Sequence, residues 1–161
     1  MNLIEKLSEK NYSISTAESI TAGLIAARIC DISGASKVFN GGIVSYSKEA
    51  KCKLLGLKRE DIDTFGVYSE ETAISMAKGV KKATNSNVAI AITGVAGPGS
   101  DENVEAGTVY CAFIVDGLII SEEKFFNGDR QEVRDKAASY AIKRVEELLE
   151  KSCWFVINIM L

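Results

Sequence analysis

The run Val88-Ala89-Ile90-Ala91-Ile92-Thr93 restricts the fold more than any other stretch of this chain. It is short, rich in isoleucine and valine, and does not alternate apolar with polar residues. A strand of that kind needs cover on both faces, which is the place of an inner strand with helices on either side. One cover stands directly before it. From Ser69 to about Thr84, Ala73, Met76, Ala77 and Val80 recur at helical spacing, with Ser69 as N-cap and Glu70 and Glu71 in the first turn. Behind the run comes the glycine-rich segment Gly94–Ala106, which holds Pro98, the chain's one proline. Ligands of α/β sheets tend to bind where such loops leave the carboxyl ends of strands. Two readings are open for this loop: a flexible turn, or backbone that closely approaches a ligand. It lacks the spacing of a P-loop.

The remainder of the chain supplies further layers. Leu3–Lys10 reads as a leading helix, Ser13–Ala17 as a short strand, Glu18–Ser19 as a turn, and Thr21–Cys30 as a buried helix. Asp31–Ser36 is a loop and Val38–Ser45 a strand, whose Gly41-Gly42 pair is the signature of a bulge or a close backbone approach. Ser47 caps a helix to Leu55, and Lys58–Phe65 holds a short one. Thr108–Val115 and Ile119–Phe126 form a hairpin around Asp116-Gly117. A helix over Asp129–Lys151 opens on a capping box of Asp129 and Glu132, with Val133, Ala137, Ala141, Val145 and Leu148 on its inner face. The expectation is one α/β domain over residues 1–152, a three-layer α/β/α sandwich on a mixed, mainly parallel sheet. The apolar end Cys153–Leu161 is set apart as a tail that docks, pairs with a neighbour or is a non-native end.

Composition narrows the function. A net charge of -3 gives no basic footprint for nucleic acid. There is no histidine, and the cysteines at 30, 52, 111 and 153 show no Cys-x-x-Cys, so no zinc set is expected. The scattered cysteines read as reduced thiols of a cytoplasmic protein. The N-terminus lacks a signal-peptide core, and the apolar tail is shorter than the roughly 20 residues that a membrane span requires.

The missing histidine also bears on catalysis. Ser19 stands at a strand-to-helix turn, and Lys51 near a helix start. If Ser19 is a nucleophile, its base is not an imidazole, and lysine is the replacement. A lysine serves as a base when burial or a neighbouring positive charge lowers its pKa; Lys48 and Lys53 are close in sequence. The plain alternative is a capping serine and a solvated lysine. Arg130, in a helix first turn where the dipole disfavours it, is either an anion grip or a surface arginine paired with Asp129. Tyr46 either stacks on a ring, orients a lysine, or is a half-buried residue at a strand end.

Taken together, the motifs resemble a known family. Thr16-Ala17-Glu18-Ser19, Gly42-Ile43-Val44-Ser45-Tyr46-Ser47-Lys48-Glu49-Ala50-Lys51 with Leu55-Gly56, Ile92-Thr93-Gly94-Val95-Ala96-Gly97-Pro98, Gly107-Thr108-Val109 and Gly128-Asp129-Arg130 are similar, in order, to the C-terminal domain of the CinA (competence/damage-inducible protein) family. The resemblance runs from about Ile14 to Leu149. It implies a serine/lysine amidohydrolase that converts nicotinamide mononucleotide to nicotinate mononucleotide and ammonia. Ser19 is then the nucleophile, Lys51 its base and Arg130 a further catalytic residue. Tyr46, Thr21, Gly42, Thr93, Gly94, Gly97, Gly107 and Thr108 are expected at the substrate. The oxyanion is expected at the first N–H groups of the Thr21–Cys30 helix. No cofactor or metal is implied, the partner is the small nucleotide, and a homodimer is expected. The start at Met1 reads as a stand-alone form of the domain.

Several positions depart from the family pattern. Ile20 and Ala22 stand where a cysteine and a glycine are usual, Tyr68 where a small residue is usual, and Val104-Glu105-Ala106 replaces Lys-Pro-Val. These changes motivate a rival expectation: a weak or inactive nucleotide-binding or regulatory domain.

Overall fold

The structure, a computed structural model, describes the backbone of residues 1–159 and side chains up to Lys151. Its elements in chain order are α1 (Leu3–Glu9), β1 (Ile14–Glu18), α2 (Leu24–Cys30), a 3-10 turn (Ala35–Lys37), β2 (Phe39–Val44), α3 (Lys48–Leu55), α4 (Arg59–Phe65), α5 (Glu70–Thr84), β3 (Val88–Gly94), β4 (Thr108–Val115), β5 (Leu118–Phe125) and α6 (Arg130–Ile159).

The five strands form one sheet in the order β2-β1-β3-β4-β5. β1 pairs in parallel with β2 and β3, and β4 runs antiparallel to both its neighbours. The sheet is therefore mixed, with β4 alone opposing the other strands. The fully apolar run does form an inner strand. Val88, Ile90 and Ile92 face a core shared with α1, α2 and α6, and Ala89 and Ala91 face a second core with α5. Small alanines on one face let α5 lie close to the sheet, and large β-branched residues on the other fill the space beneath three helices. That division produces the expected three layers.

Local chemistry explains most of the boundaries. Ser47 and Ser69 both cap helices, accepting from the N–H of Ala50 and of Thr72. Asp116 and Gly117 both take positive φ, 51° and 80°, the geometry that joins two twisted strands in two residues. The Gly41-Gly42 pair sits at a break in register: Ile14 pairs with Phe39, but Ser15 pairs with Gly41. Asn40 is the extra residue of that bulge. The capping box forms, with Asp129 N–H on Glu132 and Glu132 N–H on Asp129.

Two boundaries differ from expectation by more than a residue. α2 begins at Leu24 rather than Thr21, because residues 19–23 make tight turns in which Ala22 (φ 49°) and Gly23 (φ 100°) are left-handed. α6 continues as backbone to Ile159, past Lys151, where the expected helix ended, and into the stretch set apart as a tail. The side chains of that stretch lie outside the described residues. Among the described residues no helix is long and apolar enough to cross a membrane.

Candidate active site

The parallel strands deliver their carboxyl ends to one place. Glu18 ends β1, and its register with Val44 and Ile92 carries on past the strand: Ser19 N–H donates to Ile92 O at 3.0 Å, and Ser45 N–H to Glu18 O at 2.9 Å. Ser19 and Ser45 are thus fixed beside each other by the sheet itself. Lys51, one turn into α3, returns over that point. Its Nζ lies 3.0 Å from Ser19 Oγ, 2.8 Å from Ser45 O and 3.5 Å from Tyr46 O.

Lys51 has no exposed surface at all. Burial alone pulls its pKa down from 10.5 to about 8. The neighbouring lysines are not needed for this shift, and Lys48 is taken by Glu102, 2.5 Å away. Near neutral pH a useful fraction of Lys51 is therefore free base. Its amine can then give a hydrogen to Ser45 O and receive the Ser19 hydroxyl proton on its lone pair.

A cleft of about 240 Å³ opens onto Ser19 and is lined by Ile20, Tyr46, Tyr68, the loop Gly94–Asp101 and Arg130. Arg130 reaches across its mouth, donating to Gly97 O at 2.7 Å and to Tyr46 Oη at 3.0 Å. Asp129 is engaged in the capping box instead, so Arg130 has no ion pair among the described residues. Tyr68 forms the other wall and donates to Asp101 at 2.6 Å. Burial, and then that carboxylate, push its hydroxyl pKa up. Among the described residues no group of histidine, cysteine, aspartate or glutamate side chains is placed to hold a metal ion.

Of the residues singled out from the sequence, the structure brings Ser19, Lys51, Tyr46, Gly94, Gly97 and Arg130 together. The cleft is not lined by Thr21, Gly42, Thr93, Gly107 or Thr108. Thr21 Oγ1 donates to Glu18 and Thr93 Oγ1 to Val67 O. Gly42 lies in β2 against Thr16 and Ala26, and Gly107 against the Phe126 carbonyl. Thr108 closes the loop base through its backbone, accepting from Val95 N–H.

Most of the expected oxyanion donors are taken. Glu18, 1% exposed, accepts from Thr21 Oγ1 (2.6 Å) and from the N–H groups of Gly23 (3.0 Å), Ile25 (3.0 Å) and Ala26 (2.8 Å). It occupies the start of α2, leaving Ile20 N–H and Thr21 N–H as donors in the turn without an acceptor among the described residues. Glu18 escaped the sequence reading because Ser19 was the obvious cap. A signal did exist: an acid at the end of a strand, directly before a helix start, is a natural acceptor for first-turn N–H groups. Arg134 was missed as well; it donates to the carbonyls of Ile20 (3.1 Å) and Thr21 (3.3 Å).

Fold and site together define an α/β protein with a buried serine–lysine pair beneath a cleft at the carboxyl edge of its sheet. The family follows from comparison. Residues 1–149 match the model of the CinA C-terminal domain, and the chain belongs to the CinA family. It is 42% identical over 148 residues to a CinA-like protein of Kosmotoga olearia, covering 91% of this chain and 36% of that one. To a CinA-like protein of Fervidobacterium nodosum it is 45% identical over 138 residues, covering 85% and 34%. The chain thus spans about a third of the length of these relatives. Among solved structures it is similar to a competence-damaged protein (CinA) superfamily protein of Escherichia coli, with a TM-score of 0.89 and 31% identity over 91% of this chain and 86% of that one. The competence/damage inducible protein of Agrobacterium tumefaciens gives 0.85 and 34%, covering 91% and 90%.

Proposed function

We propose that the chain is an amidohydrolase that cleaves the carboxamide of nicotinamide mononucleotide, giving nicotinate mononucleotide and ammonia. The observation that carries this reading is the contact of a fully buried, carboxylate-free Lys51 with Ser19 at 3.0 Å. Free-base Lys51 takes the Ser19 proton as Oγ bonds to the amide carbon. The oxyanion is received by Ile20 N–H and by N–H groups of the Gly94–Asp101 loop, since Glu18 holds those of α2. The C–N bond then breaks as Lys51 gives its proton to departing ammonia. Water, deprotonated by the same amine, hydrolyses the ester on Ser19. Arg130, charged and unpaired at the mouth, receives the phosphate.

The departures from the family pattern leave this pair intact. Ile20 packs in the core at 4% exposure, and Ala22 retains the left-handed backbone that a glycine would take. One observation supports the rival reading of a non-catalytic nucleotide-binding domain: the bulky Tyr68, hydrogen-bonded to Asp101, lines the cleft where the family pattern has a small residue. Ammonia release from nicotinamide mononucleotide, with Ser19→Ala alongside, separates the two. Release by the parent and none by the variant is expected. No release by either, with a ligand-induced rise in Tm, would favour the binding domain. Equal release by both would mean a different nucleophile.

A further inference from the structure

Beyond Ser19, whose N–H is held by Ile92 O, residues 20–22 have little to hold their shape. Within the turn, Ala22 N–H donates to Ser19 O at 3.1 Å, and at its end Leu24 N–H donates to Thr21 O at 3.2 Å. Ala22 is in the left-handed region, which an L-residue enters at a cost of about 1–2 kcal/mol. Yet the position of Ser19 Oγ relative to Lys51 depends on this turn. Two charged side chains outside it supply the missing constraint. Glu18 takes four donors on its two oxygens, one from Thr21 and three from the backbone of residues 23, 25 and 26. All four partners donate, a pattern that an ionised carboxylate accepts and a carboxylic acid does not. Arg134 comes from α6, remote in sequence, and its guanidinium spans the two successive carbonyls of Ile20 and Thr21. A planar fork can hold two carbonyls at once, which a single ammonium does less well.

We propose that Glu18 and Arg134 are positioning residues that hold the nucleophile turn between the end of β1 and α6, and so hold Ser19 within proton-transfer reach of Lys51. The proposal rests on the reading of Ser19 and Lys51 as a catalytic pair. Neither residue lines the cleft, so neither touches substrate. Their loss should slow the chemistry and leave binding intact. Glu18→Gln is the sharp variant. It retains the shape, but whichever way its amide lies, an NH2 group meets a backbone N–H that needs an acceptor. Arg134→Lys retains the charge and loses the fork.

The test measures kcat and KM on nicotinamide mononucleotide, Tm, and the rate at which a fluorophosphonate labels Ser19, followed by intact mass across pH. In that labelling the Ser19 Oγ–P bond forms, fluoride leaves, and Lys51 takes the hydroxyl proton. For folded Glu18→Gln, kcat and labelling rate are expected to fall on the order of 10²-fold, the scale of an ångström-sized misplacement, with KM within about twofold. Arg134→Lys is expected to lose about tenfold in both, by the same argument. The pH midpoint of labelling should stay at its parental value in both, because Lys51 remains buried. Parental labelling by either folded variant would overturn the proposal, as would a loss that disappears once rates are divided by the folded fraction. If Glu18→Gln does not fold, Arg134→Lys decides alone. A parent that labels at Ser19 but releases no ammonia defeats the amidase reading while the labelling arm still judges the positioning. A parent that does not label at Ser19 defeats both.

Discussion

At the scale of the residue, the site depends on one lysine kept out of water. Burial disfavours the ammonium, so the Lys51 pKa falls from 10.5 to about 8. The proposed amidase activity is therefore expected to rise with pH through about 8 and level off above it, as checked by the pH dependence of kcat. A flat profile from pH 6 to 9 would remove Lys51 as the base. The same shift has a stability consequence. In the unfolded chain the amine binds its proton up to about 10.5, whereas in the folded chain it releases it near 8. Between those values the unfolded state holds more protons, so folding stability rises with pH. Relative to Lys51→Met, which has no titration here, the parent should gain about 3 kcal/mol from below pH 8 to above pH 10.5, as measured by urea melts of the two proteins. Ala22 gives a second residue-scale expectation. Its φ of 49° is steric strain that glycine relieves, so Ala22→Gly should stabilise by about 0.5–1 kcal/mol, after allowing for glycine's greater unfolded-state freedom. A lower Tm for that variant would contradict the left-handed turn. The serine and the lysine were legible in the sequence because the chain has no histidine. Glu18 and Arg134 were not, because their roles consist of hydrogen bonds to backbone groups that only the folded turn presents.

At the scale of the element, Lys51 is only as well placed as α3, and α3 is set by its contact with α5. Gly79, in the middle of α5, is the point of closest approach: a Cβ there would lie 2.2 Å from Leu55 O and 2.9 Å from Leu55 Cβ. In an exposed helix, glycine to alanine gains up to about 1 kcal/mol. Here the sign should reverse, because a backbone carbonyl cannot swing aside as a side chain can. Gly79→Ala is expected to destabilise by about 1–3 kcal/mol and to lower kcat as well, since α3 must move and carries Lys51. Thermal melts and kinetics on one preparation check both, and an unchanged Tm would show that α3 tolerates displacement. This contact was invisible in the sequence, because it joins Gly79 to Leu55 on a different helix. The helices and strands were legible, by contrast, because caps at Ser47 and Ser69, the Asp116-Gly117 turn and the bulge at Gly41-Gly42 are local chemistry. The start of α2 was misplaced because left-handed Ala22 has no local signature.

At the scale of the whole molecule, the site is assembled from β1, the segment after β2, α3, the loop after β3 and the first turns of α6, none of which holds it alone. Such a site needs a platform that does not open locally, and β4 offers a direct measure of that. Cys111 points from β4 into the core beneath α1, α2 and α6, is fully buried, and has its thiol pKa pushed up to about 12 by burial. Cys30, at the end of α2, is exposed. An alkylating reagent should therefore modify Cys30 promptly and reach Cys111 only through global unfolding, as resolved by mass spectrometry of the two peptides. For a domain of ordinary stability the second rate should lie at least about 10³-fold below the first, and should rise with urea at the slope of the equilibrium melt. Cys111 reacting as fast as Cys30 would show that α6 lifts from the sheet while the remainder stays folded. That outcome would bear on function too, because α6 brings both Arg130 to the mouth of the cleft and Arg134 to the turn that carries Ser19. Alkylation that follows urea only would mean that the pair of Ser19 and Lys51 persists as long as the fold does.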